Sequence, residues 1–128
     1  MMKKIKKYGL LFILGAIGYA SIEVIWRGNT HWSMMIAGGL CFIIFSAVAE
    51  LFKERGILFK AGVCAVGVTV VEFIFGLIFN VWLKLEIWDY SGIPLNLLGQ
   101  ICPLFSLMWV GIAIAFLPLA EVINQDYA

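Results

Sequence analysis

Charge is what this chain has least of. Of 128 residues only 13% are Asp, Glu, Lys or Arg, whereas 63% are hydrophobic and the mean hydropathy is +1.02. Average soluble domains carry roughly 25% charged and 45–50% apolar residues. A soluble fold of this length has too little interior to hide so many Leu, Ile, Phe and Trp side chains, which leaves lipid as their solvent. Histidine occurs once, as His31, and the three cysteines, Cys41, Cys64 and Cys102, each sit inside an apolar run. Without a CxxC or a His-spaced set, neither a disulfide framework nor a zinc site is indicated. No nucleophile–base set is visible, nor a Gly-rich phosphate loop ending in Gly-Lys-Ser/Thr. The reading is therefore not an enzyme, with no metal and no cofactor. A net charge of +1 without a basic, aromatic-interleaved patch also argues against a nucleic-acid partner.

Long apolar runs are what the chain does have. A helical span needs ~20 mostly apolar residues, and four segments qualify: about 8–26, 33–52, 58–79 and 101–119. In lipid each must satisfy its own backbone hydrogen bonds, which makes them helices. The expected fold is an all-α membrane protein, a single domain of four transmembrane helices over 1–128. Seven basic residues (Lys3, Lys4, Lys6, Lys7, Lys53, Arg55 and Lys60) fall on one side of these spans, and only Arg27 and Lys84 on the other. The positive-inside rule then puts both termini in the cytoplasm and argues against dual topology. Trp26, Trp32, Trp82 and Trp88 fall on the outer side, as an interfacial belt would. A rival reading takes "MMKKIKK" and the apolar run after it as a signal peptide cleaved after Ala20. Continuation of the run through "IEVIW" favours a span.

The halves share a pattern that predicts two repeated helical hairpins. Gly18 to Glu23 and Gly67 to Glu72 both read Gly-x4-Glu, 49 residues apart, and aligning "GGLCFIIF" with "GQICPLFS" through Cys41 and Cys102 gives an offset of 61. The twelve extra residues fall between Glu72 and Gly99. Two hairpins in the same orientation would relate by an axis along the membrane normal, as in some transporters.

Acids inside spans cost ~2.5–3.5 kcal/mol on insertion scales and normally face protein or water. At 1.5 Å per residue, Glu72 lies ~18 Å beyond Lys60 and Glu23 ~24 Å beyond Lys7. Both would flank an outward-opening cavity between the first and third helices. Glu23 has a second reading, because Arg27 follows at i+4 in the order that favours a helical ion pair. Glu72 has no basic neighbour at i±3 or i±4, so it pairs with another helix, binds a cation, stays protonated through desolvation, or is bridged with Glu23 by Arg27. Glu50 near Lys53 reads as a solvated helix end, and His31 as a loop histidine with a proton-linked role as its alternative. The stretch "IWDYSGIPLNLLGQICPLFS" (87–106) is unexpectedly polar. Asp89 and Ser91 suit a turn or N-cap and Pro94 a first helical turn. A helix after Pro94 would place Asn96, Gln100 and Pro103 on one side. They then either make interfacial hydrogen bonds, with Pro103 a kink, or belong to an interfacial or re-entrant segment lining the cavity mouth. The candidate binding set is Glu23, Glu72, Asp89, Asn96, Gln100 and Arg27.

"GYASIEVIWRG", "GGLCFI", "VVEFIFGLIFN" and above all "WDYSGIPLNLLGQIC" followed by "SLMW" resemble the CmpB-like family of small bacterial membrane proteins, type IV ABC-transporter permease-like. The resemblance runs from about Gly9 to Leu119, with Trp88–Ser91, Asn96 and Gly99 most specific. Longer relatives carry Gly-Pro-x-Cys-Pro-x-Tyr-Gly in the first unit. Here Gly38 and Cys41 remain, but both prolines, the tyrosine and the last glycine are replaced, so a break in that helix among relatives becomes a continuous helix here. The resemblance implies a multi-span protein of the bacterial cytoplasmic membrane linked to transport. The leading expectation is a permease-like protein that takes a small cationic or amine-bearing solute, or a proton. Four helices enclose little volume, which implies a homodimer or a partner membrane subunit. The alternatives are a non-transporting accessory or assembly subunit and, more weakly, an antiporter resembling small multidrug exporters.

Overall fold

The computed structural model describes residues 2–127, apart from the Arg27 side chain. Among these residues there are four long helices and no strands: α1 (Met2–Arg27), α2 (Trp32–Leu51), α3 (Ile57–Gly76) and α4 (Pro103–Asp126). A π-helical turn, Leu77–Trp82, extends α3. Each of the four is long and apolar enough to cross a membrane. The chain is a four-helix membrane protein. Its helices overrun the expected spans, α1 by beginning among the lysines and α4 by continuing to Asp126.

Local chemistry sets the helix ends. The His31 side chain accepts the Ser33 N–H at 3.2 Å and meets the Ser33 hydroxyl at 2.7 Å, so this histidine caps α2. Cys102 is extended and Pro103 follows at the first helical position, where its missing N–H is not needed. Pro103 therefore starts α4 rather than kinking it. Pro118 lies inside α4, a position that membrane helices tolerate when neighbours re-satisfy the freed carbonyl.

Helix α2 is the most enclosed of the four. Against it α1 packs backbone to backbone: a methyl group added to Gly38 would overlap Tyr19 and the Gly15 carbonyl, and one on Gly39 would overlap the Phe12 ring. Small residues at such a seam let helices approach closely in lipid, where dispersion replaces the hydrophobic effect as the driving force. The absence of prolines from 38–45 has its expected result, a continuous α2. On the other side α3 and α4 join through Ala61, Cys64 and Ala65 facing Ala113, Leu117 and Ala120. Contact of α1 with α4 is sparse, and α1 does not meet α3.

The two ends of the bundle differ. At the end carrying the termini, Lys60 bonds Glu121 at 3.0 Å, Lys7 lies 3.9 Å from Glu50, and Asn124 exchanges hydrogen bonds with the buried Ser46 hydroxyl and carbonyl. At the opposite end, residues 83–102 form one long non-helical loop. The helix expected after Pro94 is absent: Leu95 and Leu98 adopt φ of 61° and 54° and Gly99 73°, a left-handed backbone that interrupts any α-helix. Residues 99–102 thus belong to the loop, whereas Gly38 and Cys41 lie well inside α2. The second half of the repeat is matched in sequence but not in position along the helix.

Candidate functional site

Glu23 and Glu72 are both buried, each 8% exposed, and both line one cavity of about 350 Å³. Its walls come from the last turns of α1, from Glu72 on α3, from the loop at Trp88, Asp89, Tyr90 and Ile93, and from α4 at Phe105, Met108, Trp109 and Ile112. The cavity thus stands between α1 and α3, with α4 and the loop closing it. The Gly-x4-Glu spacing puts each acid a little over one turn beyond its glycine.

Glu72 is held by an aromatic donor: the Tyr90 hydroxyl donates to its Oε2 at 3.3 Å, and Trp109 lines the same cavity. Burial and the nearby Glu72 carboxyl raise the Tyr90 phenol above its ordinary range, so it remains a hydroxyl donor at any physiological pH. Tyr90 is fixed by stacking on Phe105 at 4.6 Å, and Trp109 by Tyr19 at 5.6 Å. Asp89 stands on the rim. Its Oδ1 accepts the Ser91 N–H at 2.9 Å, which holds this carboxyl below the usual aspartate range. It is charged at neutral pH, and the bond to Ser91 weakens only as pH falls through that lowered range.

Two residues of the expected set have other work. Asn96 donates to the carbonyls of Ser91 (3.1 Å) and Ile93 (2.8 Å) and accepts the Gly99 N–H (2.9 Å). Gln100 lies flat on Gly76, accepts from Asn80 at 2.9 Å and donates to the Leu98 carbonyl. Neither lines the cavity: a loop without regular structure must satisfy its polar backbone through side chains, and these amides do so. The Arg27 side chain lies outside the described residues, and with it the pairing and bridging expected of Arg27 with Glu23 and Glu72. Trp88 leaves the expected belt. It is 8% exposed and its indole donates to the Gln100 carbonyl at 2.9 Å, whereas Trp26, Trp32 and Trp82 are exposed near the loop end.

Sequence reasoning did not assign Tyr90, Trp109 or Tyr19 to the site. Tyr90 and Trp109 both fall in the segments carrying the family resemblance, "WDYS" and "SLMW", which was the signal available for them. Cys41, Cys64 and Cys102 are free and buried.

Four apolar helices, with two buried acids between them, define a polytopic membrane protein with an acid-lined cavity. Residues 9–127 match the family model described as "Putative ABC-transporter type IV", and the chain belongs to that family. No curated protein and no solved structure matches the chain significantly. Family and fold together support a membrane transport-related role.

Proposed function

We propose that this is a permease-like protein of the bacterial cytoplasmic membrane that binds a small cationic or amine-bearing solute, or a proton, in an outward-facing cavity. The observation that carries the reading is the convergence of Glu23 and Glu72 on one cavity walled by aromatic rings. Carboxyls supply the counter-charge for an ammonium group, and the faces of Trp88, Tyr90 and Trp109 supply cation–π attraction, which strengthens on desolvation. Seven basic residues at the terminal end orient that end to the cytoplasm, so the cavity opens outward. The ion pairs and the Ser46–Asn124 bonds close the cytoplasmic end. A homodimer or partner subunit completes the transport path, and neither catalysis nor nucleic acid enters the reading.

The test is ethylammonium binding to protein in phosphatidylcholine nanodiscs, followed by the fluorescence of the cavity tryptophans. Glu72→Gln weakens binding by at least about tenfold, the scale of a hydrogen bond to a charged group, while the protein stays folded and inserted. Unchanged binding in that variant rules the assignment out. An accessory, non-transporting role has one observation in its favour: Leu95, Leu97 and Leu98 protrude from the loop, 84%, 51% and 66% exposed. A stoichiometric copurifying membrane protein, with no amine-dependent signal, would favour that role.

A further inference from the structure

Beside the acid-lined cavity lies a second space of about 120 Å³, and the two share the lining residues Tyr19, Ile22, Trp109 and Ile112. The character of the walls changes abruptly between them. Beyond Trp109 no charged side chain contributes among the described residues: the lining includes Gly15, Gly18 and Gly38, with Phe42, Phe45 and Phe116. Over this arm α1 contributes from Tyr19 back to Leu14, ~7.5 Å at 1.5 Å per residue, and α4 from Trp109 to Leu119, ~15 Å. Gly18 borders this space, and a methyl group built on it meets nothing within 4 Å. Helix α2 forms its floor. Its open side lies where α1 and α4 scarcely touch, between rims at Ile22, Phe116 and Leu119 that are 39%, 38% and 42% exposed.

A small hydrophilic cation would use only the acid end. The apolar arm would then face either bulk membrane or nothing, because apolar cavities do not hold water. We propose that the cleft between α1 and α4 takes a single-chain amphiphilic amine, its ammonium between Glu23 and Glu72 and its apolar chain in the glycine-lined arm. Charge complementarity sits in one space and apolar complementarity in the adjoining one, with Tyr19, Ile22, Trp109 and Ile112 as their shared walls. The amine reaches the site sideways from the membrane. A diacyl lipid with an amine headgroup does not suit it: the arm is too small for two chains, and the headgroup phosphate would lie against two carboxyls. This inference rests on the reading of the acids as an ammonium site and adds to it the chain of the ligand.

The experiment compares octylammonium with ethylammonium in phosphatidylcholine nanodiscs, on the wild type and on Gly18→Leu, through tryptophan fluorescence. Taking the ratio of variant to wild type for each amine cancels partitioning into lipid. Filling the arm lowers the preference for octylammonium over ethylammonium by about tenfold or more, the scale of overpacking an occupied space. Gly18→Ala, with a single methyl pointing into open space, gives an intermediate drop and covers a failure of the leucine variant to fold. An unchanged preference in both variants overturns the chain assignment and leaves the ammonium site standing. Octylammonium binding that is insensitive to Glu72→Gln overturns both, since the signal is then partitioning alone. Competition from phosphatidylethanolamine nanodiscs overturns the single-chain assignment in favour of a lipid. Disulfide dimers of Gly18→Cys that exclude octylammonium give the cleft to a second copy and also overturn it.

Discussion

In the first hairpin, residues 28–31 join α1 to α2, and the helices meet closely through Gly15 against Gly38, with Tyr19 and the Phe12 ring seated on Gly38 and Gly39. In the second, twenty residues (83–102) join α3 to α4, and Gly76 receives the side chain of Gln100 from that loop. Both hairpins carry Gly-x4-Glu, and both acids are buried to the same degree. The difference lies in what surrounds each acid's helix. A glycine seam closes the first hairpin, whereas the second is held by a polar loop folded over its open end. Polar side chains in an apolar chain therefore divide into two kinds here. Asn80, Asn96 and Gln100 hold the loop in place, whereas Glu23, Glu72, Asp89, Tyr19 and Tyr90 line the cavity.

The largest expected effect comes from breaking the first hairpin. Gly38→Leu forces α1 off α2 and destabilises the protein by about 1–3 kcal/mol or more, as overpacking does. Thermal unfolding in detergent checks it, with Gly18→Leu as the contrasting substitution that α1 accepts. A smaller effect is confined to the second hairpin. Asn96→Ala removes three hydrogen bonds within the loop and lowers its local opening free energy by about 1–2 kcal/mol. Hydrogen exchange then speeds up across 88–101 while α1 and α2 keep their protection; faster exchange in α1 would show that the hairpins are coupled. The smallest belongs to Tyr90→Phe. Its bond to Glu72 is long at 3.3 Å, so its loss costs about 0.5–1 kcal/mol and weakens ethylammonium binding by roughly two- to fivefold. A change as large as that of Glu72→Gln would mean that the hydroxyl, and not the carboxyl, carries recognition.

The spans were legible because lipid imposes a length and a composition on any helix that crosses it. The two acids were legible because a carboxyl in an apolar run is costly wherever it points. Asn96 and Gln100 misled for the same reason that made them visible: an amide in a greasy sequence signals a hydrogen-bonding need, not which group it meets. The helix expected after Pro94 failed because left-handed backbone at Leu95 and Leu98, stabilised by contacts across the loop, leaves no trace in the order of residues. Trp88 matched the position of a belt residue, but its indole turned inward to the Gln100 carbonyl.

Residue order alone determined that the chain has four spans, that its basic residues crowd at one end, and that two acids must escape the hydrocarbon. Those outcomes follow from transfer free energies, which depend on local composition. Only the tertiary structure decided that both acids escape into the same cavity, that Tyr90 donates to one of them, and that an apolar space adjoins it. These depend on which helix faces lie together, and that is set by close packing of glycines and rings from distant parts of the chain.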